Sequence, residues 1–302
     1  MAAVDGVSFE VPKGSVLALV GESGSGKSLT ALAILGLLSP QVCVSGGRVL
    51  LCGRDLLTLS GRALRAVRGR EVGAIFQEPM TALNPVMRVG DQVAEAVLAH
   101  ERVPPRQARG RAEALFEQVG IPEPRERLDA YPYEMSGGMR QRVCIAMALA
   151  AGPKLLIADE PTTALDVTVQ AQVLDLLGRL GHEQGLGVLL ITHDLGVVAE
   201  IADEVAVMYL GRLVERAPVA ELFASPLHPY TRGLLRSMPK VGDRRTRLDA
   251  IGGVVPALDE VPSGCRFRDR CPEASGPCGE AEPELLEVAV RRQAACFKIT
   301  GE

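Results

Sequence analysis

A glycine-rich stretch that ends in Lys and Ser constrains the fold of this chain more than any other feature. Residues 21–28 read GESGSGKS, which fits the pattern G-x-x-x-x-G-K-[ST]. The apolar run 16–20 before it is short enough for a buried strand, and residues 27–38 read as an apolar helix. Strand, glycine loop and helix are the context that this motif requires. The stretch therefore predicts a phosphate-binding loop.

Each residue type in this loop has a physical role. Glycines let the backbone turn tightly, so that successive N–H groups point at phosphate oxygens, and the helix start adds its partial positive charge. Lys27 can reach the β- and γ-phosphates, and the Ser28 hydroxyl can ligate Mg²⁺. The predicted nucleotide-binding residues of the loop are Gly21, Glu22, Ser23, Gly24, Ser25, Gly26, Lys27 and Ser28.

The composition narrows the class of protein. The chain has 302 residues, enough for about two domains, and its net charge of −4 argues against nucleic acid as a partner. Its longest apolar runs are about half the roughly 20 residues of a membrane-spanning helix, and no secretory signal opens the sequence. We therefore expect a cytosolic protein, in which the seven cysteines are thiols or metal ligands rather than disulfides.

Apolar strands alternate with helical segments, which predicts an α/β fold with a mostly parallel sheet. Ligands of such sheets bind at the carboxyl ends of the strands. Gly21, Gln77, Asp159 and His193 each come at the end of a predicted buried strand. Four separate segments thus direct polar residues to one edge of the sheet, where we predict the functional site.

Changes in hydrophobic periodicity and composition along the sequence divide the chain into three parts. Residues 1–79 and 151–215 carry the α/β pattern and form the predicted nucleotide-binding core. Residues 80–150 have helical periodicity and few β-branched positions, so we predict a helical subdomain inserted in the core. Residues 216–302 are rich in Pro, contain four of the seven cysteines and form a predicted C-terminal extension. The predicted fold class is an α/β phosphate-loop NTPase core with these two additions.

Two carboxylates and two further polar side chains at the predicted sheet edge suit phosphoryl transfer. Asp159 can hold Mg²⁺, and Glu160 beside it is placed to orient or deprotonate the attacking water. His193 lies at a strand tip, where a contact with the γ-phosphate is possible, and Gln77 ends a further strand. Each residue alone has an ordinary structural reading, as a turn, a structural histidine or a surface glutamine. The phosphate loop favours the catalytic reading of Glu160, His193 and Gln77.

Together these segments resemble the ATP-binding subunit of an ABC transporter over nearly the whole chain. The motifs of that family follow one another in the family's order. They are the phosphate loop, the Q-loop at Gln77, the signature at 135–141, the acidic pair 159–160, the D-loop at 164–166 and the switch residue His193. The resemblance also implies that Gln77 is a Mg²⁺ ligand. The Ser-Gly-Gly of the signature predicts a helix N-terminus at which two glycines let the backbone approach a second phosphate group. Without the other motifs, the same three residues would indicate an ordinary helix N-cap. The resemblance implies a head-to-tail dimer around two ATP molecules, with the partner's ATP site completed by Ser136, Gly137, Gly138 and Asp166.

A narrower resemblance comes from two further segments. Residues 76–85 read FQEPMTALNP and residues 228–235 read HPYTRGLL, and both are similar to dipeptide and oligopeptide importers. The resemblance implies uptake of peptides, or of nickel or glutathione in relatives, at the cytoplasmic face of the cell membrane. It implies as partners a second, distinct ATPase subunit in a heterodimer, two transmembrane permease subunits and an extracytoplasmic binding protein. The C-terminal extension argues against an exporter, and the acidic charge against a soluble ABC ATPase acting on nucleic acid.

One departure from the family concerns the adenine base. The family normally places an aromatic residue that stacks on adenine on a strand before the loop. Here that position falls at Met1-Ala2-Ala3, and Phe9 is too close to the loop. Either the start is truncated or misassigned, or the stacking group comes from elsewhere.

Four cysteines in the C-terminal extension are spaced C-x5-C-x6-C-x17-C, which is neither a zinc-finger nor a ferredoxin spacing. Four thiolates suit Zn²⁺ or an iron–sulfur cluster, and reduced thiols are the third reading. Residues 261–284 have little apolar material, so a metal crosslink would replace a core there. The resemblance to peptide importers favours a structural 4Fe–4S cluster, whose predicted ligands are Cys265, Cys271, Cys278 and Cys296.

Overall fold

The computed structural model describes residues 2–77, 82–163, 165–238 and 251–300, which form two compact units. One comprises Val11–Val16 and Ala31–Ile191, and we call it the signature unit because it contains residues 136–138. The other comprises Met1–Glu10, Leu17–Thr30 and Thr192–Glu302, and we call it the loop unit because it contains residues 21–28. The division at 79/80, 150/151 and 215/216 stays a prediction, and its first boundary lies outside the described residues.

The elements of the described ranges are as follows. The strands are β1 (Val16–Val20), β2 (Leu50–Leu51), β3 (Arg54–Asp55), β4 (Val72–Ile75), β5 (Leu155–Asp159), β6 (Gly187–Thr192), β7 (Glu204–Tyr209), β8 (Arg212–Pro218), β9 (Leu286–Ala289) and β10 (Arg292–Ala294). The helices are α1 (Lys27–Leu35), α2 (Gly61–Val67), α3 (Val89–Leu98), α4 (Pro105–Gln118), α5 (Pro124–Arg127), α6 (Gly137–Leu149), α7 (Val167–Gln184), α8 (Leu195–Ile201), α9 (Val219–Ala224), α10 (Pro229–Arg236), α11 (Pro277–Glu280) and α12 (Phe297–Thr300).

The sheet of the signature unit is parallel. β4 pairs with β5, with Ile75 opposite Ala158, and β5 pairs with β6, with Ala158 opposite Leu190. The residues of β6 are all buried, as expected for parallel strands that are covered on both faces. Because β4 and β5 end at the same edge, Gln77 and Glu160 are neighbours although they are far apart in the sequence.

Helices α3 to α6 of the signature unit lie within the range predicted to be helical. Small and β-branched side chains form one buried cluster there, and these let the helix backbones approach closely. The members of that cluster are Ala94, Val97, Ala108 and Ala150. The helical character of this stretch thus follows from its sequence periodicity.

The loop unit combines parallel and antiparallel pairing. β1 runs parallel to β7, and β7 is antiparallel to β8. β10 pairs with β8, and β9 pairs with β10, both antiparallel. The sequence did not predict β9 and β10, since its alternating pattern fades beyond residue 215. The last third of the chain therefore adds strands to the sheet of this unit.

An aromatic cluster holds the C-terminal part of the loop unit together. The ring centroids of Tyr209 and Tyr230 lie 4.7 Å apart, and that of Phe267 is 5.2 and 5.3 Å from them. All three rings are buried. In a chain with few aromatic residues, this cluster concentrates much of the apolar area of this part, and it packs the end of β7 against the start of α10.

His228, the N-cap of α10, is buried beside this cluster. Its Nδ1 accepts a hydrogen bond from the Tyr230 N–H at 3.1 Å, and its own N–H donates to the Glu215 carboxylate at 2.8 Å. Burial, and to a smaller extent the positive charge of Arg232, lower the pKa of His228 to about 3. The imidazole is therefore neutral in the folded protein at every physiological pH.

This buried histidine should make the fold acid-sensitive. Between the unfolded pKa near 6.5 and the folded value of about 3, only the unfolded chain binds the proton, so stability falls as the pH falls. We expect His228 to account for a loss of about 2 kcal/mol between pH 7 and pH 5. Chemical unfolding of the wild type and His228→Asn at both values checks this, because asparagine keeps the N-cap acceptor but does not titrate. An equal loss in both proteins would contradict the assignment.

Candidate functional site

The loop at residues 21–28 has the conformation that close contact with phosphate requires. A Cβ on Gly21 would collide with the Met208 carbonyl oxygen on β7. Gly26 has a φ of +103°, which other residues rarely adopt, and a Cβ there would lie 2.9 Å from Met208 Cε. The glycines at these two positions are therefore required by the way the loop lies on β7.

Lys27 and Ser28 open helix α1 directly after the loop. Lys27 is 6% exposed, and its Nζ donates to the carbonyl oxygens of Gly21 at 2.7 Å and Glu22 at 3.0 Å. The ammonium group is thus held inside the loop, while Ser28, the next residue, is exposed. An ammonium, the N–H groups of a helix start and a hydroxyl are the donor set that fits ATP with Mg²⁺.

The predicted acidic pair ends β5 in the signature unit. Asp159 is buried, and Glu160 follows it with a φ of +48°. The Glu160 N–H donates to the Ile191 carbonyl at 2.9 Å, which fixes this left-handed turn. A strained residue held by its neighbours at a strand end is a feature of functional sites.

The Glu160 carboxylate has two neighbours that supply hydrogen bonds. Gln77 Nε2 donates to Glu160 Oε2 at 3.3 Å, and Thr163 Oγ1 donates to the same oxygen at 3.0 Å. The sheet-edge argument placed Gln77 and the acidic pair at one edge of the sheet, and in the structure Gln77 lies beside Glu160. Thr163 was not predicted, although its position three residues after Glu160 in the same turn is a local signal.

His193 lies in the loop unit, directly after β6. It is exposed, and the next residue, Asp194, caps α8 by accepting from the Gly196 N–H at 2.7 Å. The position at a strand tip agrees with the sequence-based prediction. His193 therefore lies at the carboxyl end of its strand, the end at which parallel sheets bind ligands.

The signature residues form the N-terminus of the 13-residue helix α6. Ser136 is the N-cap, and its Oγ accepts from the Met139 N–H at 3.3 Å. Gly137 is exposed, and a Cβ there would have only Leu165 Cδ2 nearby, at 3.7 Å. Gly138 is buried, and a Cβ there would collide with Val169 Cγ1 on α7. This helix start therefore presents an open backbone surface at Gly137.

Asp166 caps α7 in the same way. Its carboxylate accepts from the Val169 N–H at 3.0 Å, and the residue is exposed. Of the D-loop, Ala164 lies outside the described residues, as do Glu78 to Thr81 of the segment after Gln77. The helix starts of α6 and α7 thus meet at Val169, which contacts Gly138 and is capped by Asp166.

Sequence analysis missed two residues that contact the loop. The Tyr230 hydroxyl accepts from the Glu22 N–H at 2.8 Å, and Arg270 Nη1 donates to Glu22 Oε2 at 2.7 Å. Tyr230 belongs to the HPYTRGLL segment, whose similarity to peptide importers was noted in the sequence. That similarity did not indicate a contact between Tyr230 and the loop. No sequence pattern near Arg270 predicts its contact with Glu22, which is 248 residues away.

The prediction of an iron–sulfur cluster at Cys265, Cys271, Cys278 and Cys296 is wrong. Among the residues that the structure describes, no group of three or more His, Cys, Asp or Glu side chains is placed to hold a metal ion. The four cysteines do line one cavity, but its volume of about 10 Å³ has room for about one water molecule. The same finding argues against the zinc alternative.

Of the four cysteines, Cys278 is buried and the other three are half-buried. Burial raises the pKa of Cys265 to about 11, and it also raises the pKa values of Cys271 and Cys296. Cys278 Sγ lies 3.8 Å from the Ser275 hydroxyl. The reading of the four residues as thiols without a metal fits the structure.

The chain matches two family models. The model described as ABC transporter matches residues 4–163, which is more than half of the chain. The model described as oligopeptide/dipeptide transporter, C-terminal region, matches residues 214–278. In the part of the chain that the structure describes, no helix has the length and apolar character needed to cross a bilayer.

Relatives match over nearly the whole chain. The oligopeptide transport ATP-binding protein AppD of Bacillus subtilis is 50% identical over 300 residues, covering 98% of this chain and 90% of AppD. The dipeptide transport ATP-binding protein DppD of Haemophilus influenzae is 48% identical over 290 residues, covering 96% of this chain and 88% of DppD. A solved dimeric structure of the ATP-binding cassette MJ0796 bound to ADP and Pi has a TM-score of 0.63 and 27% identity, covering 72% of this chain and 90% of that one.

The loop, the acidic strand end and the helix start at residues 136–138 define an ATPase of the ABC class. The chain belongs to the ABC transporter family, as a subunit that combines the family's ATP-binding domain with the oligopeptide/dipeptide transporter C-terminal region. It hydrolyses ATP, which it uses with Mg²⁺. The predicted family, ATPase activity and mostly parallel α/β fold are confirmed. A Pro/Cys-rich extension as a separate part stays a prediction.

Proposed function

We propose that this chain is the ATPase subunit of a binding-protein-dependent importer of dipeptides or oligopeptides. The observation that carries the proposal is the 50% identity to an oligopeptide transport ATP-binding protein over 98% of this chain. The match of residues 214–278 to the oligopeptide/dipeptide transporter C-terminal region supports it independently. Peptides are therefore the solute class to test first.

In this proposal the residues of the loop bind the phosphates of ATP. Lys27 neutralises phosphate charge, and Ser28, Gln77 and Asp159 would hold Mg²⁺, which supplies charge neutralisation when bound. Glu160 orients the attacking water and accepts its proton, and its bonds to Gln77 and Thr163 fix its carboxylate. His193 contacts the γ-phosphate. The loop binds substrate, and the Glu160 carboxylate performs the proton chemistry.

We further propose that the chain works with partners at the cytoplasmic face of the cell membrane. The start of α6, with Ser136 and Gly137 exposed and Gly138 buried behind them, completes the ATP site of a second, homologous ATPase subunit in a heterodimer, together with Asp166 at the start of α7. Two transmembrane permease subunits contact the helical stretch 80–150, and an extracytoplasmic binding protein delivers the peptide. The open surface at Gly137 supports the first of these contacts.

Uptake measurements in proteoliposomes test the proposal. The chain is reconstituted with its permeases and second ATPase, and labelled dipeptides, oligopeptides, Ni²⁺ and glutathione are offered with the binding protein. We expect peptide uptake that requires ATP, is absent with Lys27→Ala and is unchanged with Lys13→Ala, an exposed lysine outside the loop. ATP-driven uptake of Ni²⁺ or glutathione without any peptide uptake would refute the proposed solute class.

A further inference from the structure

Glu22, the second residue of the loop, forms hydrogen bonds through its backbone N–H, its carbonyl oxygen and its carboxylate. Its N–H donates to the Tyr230 hydroxyl at 2.8 Å, and its carbonyl accepts from Lys27 Nζ at 3.0 Å. Its two carboxylate oxygens accept from Arg270 Nη1 and Nη2 at 2.7 and 3.0 Å. Two of these three partners come from the C-terminal part of the loop unit.

Arg270 is itself fixed in place. Its side chain is 5% exposed, and its Nε donates to the Gly252 carbonyl at 2.9 Å. Its guanidinium lies 5.8 Å from the centroid of the Tyr209 ring. A planar guanidinium with two parallel bonds to one carboxylate is a strong and directional arrangement. Arg270 is thus an anchor with a fixed position, unlike an adaptable surface arginine.

The charge of Glu22 explains why such an anchor matters. The loop binds the negative phosphates of ATP, and an unpaired carboxylate within it would repel them. Glu22 is 30% exposed, so water screens its charge only in part. The bidentate contact with Arg270 neutralises that carboxylate and holds its side chain aside.

We propose that Arg270 is a positioning residue for the ATP site, which fixes and neutralises Glu22 and thereby sets the affinity of the loop for nucleotide phosphates. Arg270 acts through Glu22 and does not itself touch the nucleotide. The inference rests on the proposed ATP site at residues 21–28. It gives the C-terminal segment around residue 270 a role in ATP binding.

Equilibrium binding of a fluorescent ATP analogue with Mg²⁺ to the full chain tests this role. Arg270→Met should weaken binding about tenfold, equivalent to about 1.4 kcal/mol, and the loss should shrink at high salt. Arg270→Lys, which keeps the charge but not the bidentate geometry, should lose less. The double variant Glu22→Gln with Arg270→Met should recover most of the affinity, because the repelling carboxylate is gone.

Recovery of ATP affinity in the double variant distinguishes a positioning role of Arg270 from a packing role. If Arg270 only packed against its neighbours, removal of the Glu22 charge would not restore the affinity. Arg232→Met is the matched control: it removes a two-bond pair with Glu273, at 2.9 and 3.2 Å, in the same part of the chain. It should bind ATP like the wild type. Equal weakening by both arginine variants, normal binding by Arg270→Met, or no recovery in the double variant would each overturn the proposal.

A further variant keeps the test decisive if Arg270→Met does not fold. Glu22→Gln with Arg270 intact leaves a positive charge beside the loop, so binding should tighten about two- to threefold. Unchanged or weaker binding would contradict the proposal. A wild-type chain that binds no ATP would instead refute the proposed site at residues 21–28, so the two failures are distinguishable.

Discussion

Replacement of Glu160 by Gln should abolish ATP hydrolysis while ATP still binds. Glutamine keeps the size of the side chain and can bond to Thr163, but it cannot accept a proton from water. We expect a loss of at least about a hundredfold in the turnover of the assembled transporter, with nucleotide affinity nearly unchanged. Phosphate release and equilibrium ATP binding measure the two quantities, and a closed, ATP-bound dimer should accumulate.

Glu71→Gln is the matched control for this prediction. Glu71 lies at the other, amino end of the neighbouring strand β4, where its carboxylate pairs with Arg54 at 2.6 Å and Lys154 at 3.1 Å. Its replacement removes a carboxylate of the same unit without touching the carboxyl edge of the sheet, so turnover should stay near the wild-type value. Near-normal turnover of Glu160→Gln would show that the proton acceptor is another group.

Replacement of Gly137 by Asp should block nucleotide-driven association with the partner ATPase. Gly137 is exposed at the start of α6, and a Cβ there meets only Leu165 Cδ2 at 3.7 Å, so the fold accepts the new side chain. Its carboxylate would stand where the partner's ATP presents phosphate, and like charges at short range repel strongly. We expect the ATP-dependent association to weaken more than about tenfold. Binding of ATP by the isolated chain should survive.

Gly110→Asp supplies the matched control. Gly110 is exposed within α4, and a Cβ there meets nothing within 4 Å. The same new charge at this position should leave both association and ATP affinity unchanged. Size-exclusion chromatography with and without ATP, together with monomer binding, reads out both quantities. A large loss of monomer affinity in Gly137→Asp would mean that this helix start serves the chain's own nucleotide.

Local sequence patterns predicted the parts of the site that depend on local geometry. The helix after the loop begins at Lys27, as its motif requires, but ends at Leu35 instead of residue 38. Gly36 adopts a φ of +61° there, which ends the helix early. The meeting of Gln77 with Glu160 was also predictable, because parallel neighbouring strands end at the same edge.

Long-range contacts and side-chain environments were not predictable in this way. The pair of Arg270 and Glu22 joins residues from opposite ends of the chain, and each alone is an ordinary charged residue. The metal prediction failed for a related reason: residue types and spacing do not show whether the side chains come together. Only the packed structure shows that, among the described residues, no three His, Cys, Asp or Glu side chains are placed to hold a metal ion.

The close contact at Gly138 couples the start of α6 to the start of α7. No methyl group fits between Gly138 and Val169, and Val169 is also the residue whose N–H is held by Asp166. The start of α6 therefore cannot shift against the start of α7 without opening a gap or forcing a clash. We therefore expect that a displacement of the Asp166 turn toward α6 would press Val169 against Gly138, so that movement at one exposed helix start reaches the other.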